Sequence, residues 1–310
     1  MRVLVTGATG FIGSALAREL VATGHEVAAL VRPSSKRFWR LAPVRDRLRL
    51  IEGDLASPPE AEIRSFAPEG VAHLAWAGVA NRDRNDPAQV RNIAQASALF
   101  SLVADAGCSV FVGLGSQAEY GPCSGAISPN APTRPTTLYG TCKLAAGQIL
   151  AQLATHHPRA PRTAWLRLFS SYGPGDETYW MIPGLILQLL RREVPPLTLG
   201  EQRWDYIHVD DAARAIAAVL VAPRASGVFN LGSGSAPRLR ETIETVRDMI
   251  DPSLALGFGQ VPYRPDQVMH LEADISRLRD LAGWSPRTPL REGLRQTVEW
   301  YRDNAHLVQA

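Results

Sequence analysis

The sequence predicts an α/β fold: a doubly wound parallel sheet with a smaller, interleaved C-terminal α+β domain. Three observations predict it. Short apolar runs alternate with helix-period segments through the first half of the chain. The first apolar run leads at once into a glycine-rich turn and a helix. The second half loses the alternation without showing a linker or a repeat. Strands alternating with helices imply β-α-β units, and right-handed crossovers wind them onto both faces of one sheet.

Residues 3–6 are apolar without alternation, as expected of a strand covered on both faces. Residues 12–23 carry apolar positions at helical spacing. Strands follow at 26–31, 48–52 and 70–75, and residues 87–106 read as a long amphipathic helix. A fifth strand spans 109–114, a helix 138–155 and a sixth strand 163–168. Further on, 174–196 mixes helix with loop, and 203–211 is a short strand entering a helix at Asp210-Asp211. A late strand covers 228–231, residues 257–269 are rich in Gly and Pro, and 290–310 are helical. The second domain is therefore woven rather than appended. Residues 1–169 plus 204–235 are assigned to the sheet domain, and 170–203 plus 236–310 to the smaller one.

Composition excludes several classes. The 310 residues suit one large domain or two, and 45% hydrophobic with 20% charged is ordinary for a soluble globular chain. A net charge of +3 is too small to imply a nucleic-acid partner, and the arginines are scattered apart from a cluster over residues 32–49. The three cysteines, Cys108, Cys123 and Cys142, form no C-x-x-C pair, so no metal site is expected and a reducing compartment suits them. The apolar run at the start is too short for a signal peptide. The longest apolar candidate, Met181–Leu190, is interrupted by Pro183, Gly184 and Gln188, well short of the ~20 residues of a membrane span. A cytoplasmic protein without membrane or nucleic-acid partners is expected.

Gly7-Ala8-Thr9-Gly10-Phe11-Ile12-Gly13 follows the first strand and opens the first helix. Glycine permits the tight turn and lets backbone approach a pyrophosphate, while the helix N-terminus offers free N–H groups to the anion. The spacing G-x-x-G-x-x-G in this context points to a nicotinamide dinucleotide. At the end of the second strand an NAD enzyme usually places Asp or Glu for the ribose hydroxyls. Here Val31 and Arg32 stand in that region, with Lys36 close behind. A guanidinium pairs with the extra phosphate of NADP where a carboxylate would repel it. NADP(H) is therefore preferred, with NAD(H) open if Arg32 and Lys36 are only surface charges. Asp54, after the third strand, either accepts from the adenine amino group or closes a turn.

Tyr139 and Lys143 are four residues apart at the start of a helix, hence on one face. A neighbouring ammonium favours phenolate and lowers a tyrosine pKa. Ser116 ends the fifth strand, and ligands of a parallel sheet sit at the carboxyl ends of its strands.

With these motifs the chain resembles the extended branch of the short-chain dehydrogenase/reductase family: nucleotide-sugar epimerases, dehydratases and ketoreductases built on a Rossmann sheet. The resemblance covers nearly the whole chain. It includes His73-Leu74-Ala75, the stretch from Leu166 to Pro174, the stretch from Arg203 to Asp211, Phe229 to Gly234, and Gly283 to Pro286. It implies a catalytic Ser116, Tyr139 and Lys143. It implies cofactor contacts from Gly7, Thr9, Gly10, Phe11, Ile12, Gly13, Arg32, Lys36, Asp54, Leu55, Leu74, Ala75, Tyr139, Lys143 and Phe169. For the substrate, a nucleotide-diphosphate sugar, it implies Arg203 and Arg264, with Gln117 beside the sugar and Trp76 either walling it or packed in the core or at the dimer edge. Ser170 stands where the family often has Asn on the diphosphate. A homodimer through a four-helix bundle of the helices near 88–106 and 138–155 is also implied.

Departures from the family pattern narrow the reaction. The 4,6-dehydratases carry Asp-Glu directly after the catalytic Ser/Thr, and here those places hold Gln117 and Ala118. Ala118 cannot move a proton, which argues against dehydration and against the cysteine-assisted epimerase-reductases. Cys108 and Cys142 read as structural, and so do His73 and His208. The expected reaction is NADPH-dependent reduction of the 4-keto group of a nucleotide-linked 4-keto-6-deoxy sugar. The alternatives are an NAD-dependent nucleotide-sugar 4-epimerase and, from another class, a non-catalytic NADP-binding regulator.

Overall fold

Seven of the apolar runs pair into one sheet in the computed structural model, which describes residues 1–264 and 267–308. They are β1 (Arg2–Thr6), β2 (Glu26–Val31), β3 (Leu48–Glu52), β4 (Gly70–His73), β5 (Val110–Ser116), β6 (Arg162–Leu168) and β7 (Gly227–Leu231). The order across the sheet is β7-β6-β5-β4-β1-β2-β3, and every pairing is parallel. The order reverses between β1 and β4, so the chain leaves those neighbours in opposite directions and opens a crevice at their carboxyl ends.

The helices are α1 (Phe11–Ala22), α2 (Glu60–Phe66), α3 (Gln89–Asp105), α4 (Leu138–His156), α5 (Met181–Leu190), α6 (Val209–Val221), α7 (Leu239–Ile250), α8 (Ser276–Ala282) and α9 (Leu290–Asn304). Strand side chains alternate between faces. Val3, Val5, Val27, Ala29, Val110 and Val112 meet α1 and α6 on one face. Leu4, Ala28, Leu30, Val71, Phe111 and Trp165 meet α2, α3 and α4 on the other. Both faces are apolar because both are covered. Each fully buried Val, Leu or Phe among them contributes about 1.5–3 kcal/mol.

A third core lies off the sheet. Ile182, Leu185 and Ile186 of α5 pack with Ile243 and Val246 of α7 and with Leu294, Val298 and Tyr301 of α9. Short parallel pairings stitch the later segments together. Ser170–Tyr172 pairs with Tyr206–His208, and Pro196–Leu197 with Gly257–Phe258. His270–Ala273 lies between Arg203–Trp204 and Gly125–Ile127.

Two buried aspartates explain the late motifs. Asp205 Oδ1 accepts from the backbone and hydroxyl of Ser233, both at 2.7 Å, and Oδ2 from the N–H groups of Gly234 and Ala273, both at 3.0 Å. Gly232 is required beside it, since a Cβ there would lie 2.8 Å from Oδ2. Asp211 accepts from the N–H groups of Arg287 and Thr288, each at 2.8 Å, and pairs with Arg214 at 2.7 Å. His208 caps α6 by accepting from Asp210 N–H, the structural role expected of it.

The structure adjusts some expectations. The strand Gly125–Ile127 and helices α7 and α8 were not anticipated. The mixed stretch 174–196 contains a regular helix, α5, and Pro183 is tolerated because its missing N–H falls in the first turn. The last helix ends at Asn304 and gives way to a short turn, Ala305–Leu307.

Asp176 adds a pH dependence. Burial pushes its carboxyl up to about 8, outweighing the Glu177 N–H bond and the nearby Arg40. A folded pKa above the unfolded one means stability is lost as pH rises from the ordinary aspartate range through about 8. Asp176→Asn is therefore expected to raise the melting temperature at pH 8 and to leave it unchanged near pH 3.5, which thermal melts at the two pH values check.

Candidate active site

The glycine turn lies at the mouth of the crevice. Gly7 has φ +71°, and a Cβ there would stand 2.7 Å from the backbone nitrogen of Ala75, so Leu74 and Ala75 press directly on the turn. A Cβ at Gly13 would come within 2.0 Å of the Gly7 carbonyl. The N-cap of α1 is Gly10, with no side-chain capping bond, and no acidic residue occupies the first turn. The N–H groups of Phe11 and Ile12 are thus among the uncapped donors of the helix start. This arrangement fits an anionic pyrophosphate.

The basic cluster behind the turn divides in two. Buried Arg40 donates to the Gly175 carbonyl at 2.7 and 3.2 Å and to the Thr9 carbonyl at 3.4 Å. Arg37 and Arg40 both pair with Glu177, at 2.6 and 3.1 Å. Ser35 donates to the Thr9 hydroxyl at 3.0 Å. These groups hold the turn itself. Arg32 and Lys36 are exposed and enter no ion pair among the described residues. Asp54 Oδ1 accepts from Ala56 N–H at 2.8 Å, closing a turn, and Leu55 packs under the sheet. Phe169 is buried in the core against Tyr120.

Helix α4 starts with its first donors satisfied. Leu138 N–H reaches Asn85 Oδ1 at 3.0 Å, Tyr139 N–H the Arg84 carbonyl at 2.7 Å, and Gly140 N–H the Thr137 hydroxyl at 3.1 Å. Gly140 admits the turn after β5, since a Cβ there would meet the Ala118 carbonyl at 2.5 Å. The helix start is thereby pinned against the end of β5, and the structure brings the three expected groups together. The Tyr139 hydroxyl lies close enough to Ser116 for the serine to favour its ionised form, and Lys143 Nζ lies 5.9 Å from the Tyr139 ring centre. All three are buried.

Their electrostatics correct one expectation. Burial pushes Tyr139 up from the ordinary phenol range, and the Ser116 bond and Arg84 offset only part of this. The ammonium expected to depress it is itself pushed down to about 7 by desolvation, against the pull of Glu119. Lys143 Nζ donates to the Leu114 carbonyl at 2.6 Å. Tyr139 is thus held as a phenol, able to donate a proton.

Trp76 packs in the core and also lies beside Tyr139 and Lys143. Its ring packs against the α3–α4 face of the core. It also lies 3.9 Å from Lys143 Nζ, meets Tyr139 edge-on at 6.3 Å, and donates Nε1–H to Gln89 at 2.8 Å. His73 bonds the Thr6 hydroxyl at 2.9 Å and is pushed down to about 3 by burial, in keeping with a structural role. Burial raises all three thiols, Cys108 to about 12. Gln117 follows Ser116 in a single helical turn. The Ser170 hydroxyl accepts from Trp204 Nε1 at 2.7 Å and can still donate its own hydrogen. Arg203 is exposed at the edge of the three-stranded sheet. Arg264 is described, whereas Pro265 and Asp266 of its motif lie outside the described residues. No group of three or more His, Cys, Asp or Glu among the described residues could hold a metal. No helix among them is long and apolar enough to cross a membrane.

The sequence reading missed two groups. Arg84 lies with its guanidinium 5.2 Å from the Tyr139 ring centre. Glu119, three residues after Ser116, is fully buried against Trp165 and Arg167. The usable signal for Glu119 was on β6. Trp165 and Arg167 share a face, their register partners are Gly113 and Gly115, and a buried guanidinium needs a carboxylate.

Comparison with known proteins agrees with this geometry. Residues 3–232 match the model of the NAD dependent epimerase/dehydratase family. A dTDP-glucose 4,6-dehydratase of Streptomyces niveus is 30% identical over 98% of this chain and 94% of its own length. A dTDP-6-deoxy-L-talose 4-dehydrogenase (NAD(+)) of Aggregatibacter actinomycetemcomitans is 27% identical over 79% of this chain and 88% of its own. The solved structure of MoeE5 in complex with UDP-glucose and NAD is 31% identical, superposes with a TM-score of 0.82, and covers 98% of this chain and 100% of its own. With the glycine turn, the parallel sheet and the Ser116, Tyr139 and Lys143 cluster in place, the chain belongs to the NAD dependent epimerase/dehydratase family of nucleotide-sugar-modifying enzymes.

Proposed function

We propose that this chain reduces the 4-keto group of a nucleotide-linked 4-keto-6-deoxy sugar, with NADPH as the reductant. The observation that carries the reading is Tyr139 held as a phenol beside Ser116, with Gln117 and Ala118 following that serine and supplying no second proton carrier. Ser116 holds the carbonyl oxygen and Tyr139 gives it a proton. Lys143 compensates the charge left on the phenolate and holds the cofactor ribose. The nicotinamide, when bound, supplies the hydride to the carbonyl carbon, so one ketone becomes one alcohol. Gln117 orients the sugar beside Trp76. Arg203 and Arg264 hold the diphosphate. Residues 1–169 plus 204–235 bind the dinucleotide, and 170–203 plus 236–310 bind the substrate. Two copies assemble through α3 and α4, whose outer faces expose Val90 and Ile149.

NADP preference rests on Arg32, exposed and without an ion pair among the described residues, where a ribose-binding carboxylate is usual. Titrating NADPH and NADH separately is expected to show tighter NADPH binding, weakened ~10–100-fold by Arg32→Asp. Equal or tighter NADH binding would overturn the preference. The second reading, an NAD-dependent 4-epimerase, is favoured by the NAD complex of MoeE5. NAD retained through purification would support it.

A further inference from the structure

The buried group that the proposed mechanism leaves unused is Glu119. Its Oε1 accepts from the backbone N–H of Ser116 and from Trp165 Nε1–H, each at 2.9 Å. Its Oε2 accepts from Arg167 Nε at 2.7 Å. The surroundings are shaped for this. Cβ atoms at Gly113 and Gly115 would each stand 2.4 Å from the Trp165 indole, and one at Gly147 of α4 would stand 2.9 Å from it. Three glycines on two elements thus make the slot that lets the indole reach Glu119. Arg167 is fixed in turn by the Pro129 carbonyl at 3.2 Å and by the Tyr120 ring at 4.5 Å. The Ser116 N–H bond closes a capping box whose other half is Ala118 N–H donating to the Ser116 hydroxyl at 3.2 Å, so the carboxylate that pairs with Arg167 also fixes the strand-end serine.

We propose that Glu119 is a positioning residue of the active site: it anchors Ser116 at the end of β5 and serves as the buried counter-charge that keeps Lys143 an ammonium. The assignment rests on reading Ser116, Tyr139 and Lys143 as the reacting set. Lys143 Nζ lies 5.9 Å from the centre of the Trp165 ring, the same indole that donates to Glu119, so the ammonium and the carboxylate flank one buried side chain. Desolvation pushes Lys143 down to about 7, and Glu119 opposes the fall. The other charged or titratable groups facing this pair are His73 at the end of β4, Tyr139 on α4, Tyr120 and Arg167. His73 is pushed down to about 3 and stays neutral in the working range. Arg167 is held on the far oxygen of Glu119. An ammonium beside Tyr139 stabilises the phenolate formed when its proton leaves, so losing Glu119 weakens the proton donor without touching the substrate.

The test needs no substrate. The chain has two lysines, Lys36 and Lys143, so carbon-13 labelling at lysine Cε gives two signals, separated by Lys36→Arg. In the intact protein Lys143 is expected to titrate near 7. In Glu119→Gln its midpoint is expected to fall by about one pH unit or more. Glu119→Asp and Trp165→Phe keep the charge and are expected to leave the midpoint near that of the intact protein. An unchanged midpoint in Glu119→Gln would overturn the counter-charge role. Should that variant not fold, the other two carry the test, and a fall in either would trace the effect to packing and overturn the assignment. Because the readout is the lysine itself, it stands even if the 4-keto-sugar reading fails.

Discussion

Tyr139→Phe is expected to lower turnover by ~10²–10⁴-fold while leaving cofactor affinity nearly unchanged. The variant removes one oxygen. That oxygen is the proton donor of the proposed reaction and lies beside Ser116. The ring stays buried between Trp76 and the Arg84 guanidinium, and the helix start stays pinned through backbone bonds that the change does not touch. Steady-state rates and a nucleotide titration on the same preparation separate the two effects. A loss confined to turnover supports general acid catalysis. Turnover retained within a few-fold would remove Tyr139 from the chemistry. A protein that binds nucleotide and turns over nothing even when intact would be the regulator.

Asp205→Ala is expected to destabilise the fold by about 3–5 kcal/mol, among the largest effects of any single change outside the active site. Four donors converge on that carboxylate: three backbone N–H groups and the Ser233 hydroxyl. They belong to the loop after β7 and to the strand His270–Ala273. The aspartate is fully buried, so water cannot replace it without opening the structure. Its carboxyl is nevertheless raised by desolvation despite those bonds, which marks the site as dry. Urea unfolding reads the cost as a lower midpoint at constant slope. A shift under about 1 kcal/mol would mean that the loop and strand are held by packing instead.

The sequence disclosed most clearly what local chemistry dictates. The seven central strands were legible because a sheet covered on both faces is written as apolar runs such as Val3, Leu4 and Val5. The glycine turn was legible because only glycine fits there: a Cβ at Gly7 or Gly13 would stand 2.7 or 2.0 Å from neighbouring backbone atoms. Ser116, Tyr139 and Lys143 were legible because four-residue spacing on a helix and a strand-end position place them without knowledge of the rest. The short strand Gly125–Ile127 was not legible, because its partner His270–Ala273 lies more than a hundred residues away and only that pairing makes it a strand. Glu119 was hidden for a similar reason. Its meaning comes from Trp165 and Arg167 on the neighbouring strand, and a lone glutamate in a turn carries no such signal. The expected depression of Tyr139 failed because spacing gives proximity and does not give burial, and here burial dominates both residues.

The central claim is that hydride and proton are delivered to a ketone at this site. The direct measurement is incubation of the purified protein with a nucleotide-linked 4-keto-6-deoxy sugar and NADPH deuterated at the transferable position, followed by mass spectrometry of the sugar. The account predicts one deuterium at C4 of the sugar, incorporated ~10²–10⁴-fold more slowly by Tyr139→Phe. Unlabelled substrate returned unchanged, while a nucleotide sugar is interconverted with its 4-epimer on NAD retained by the protein, would contradict it.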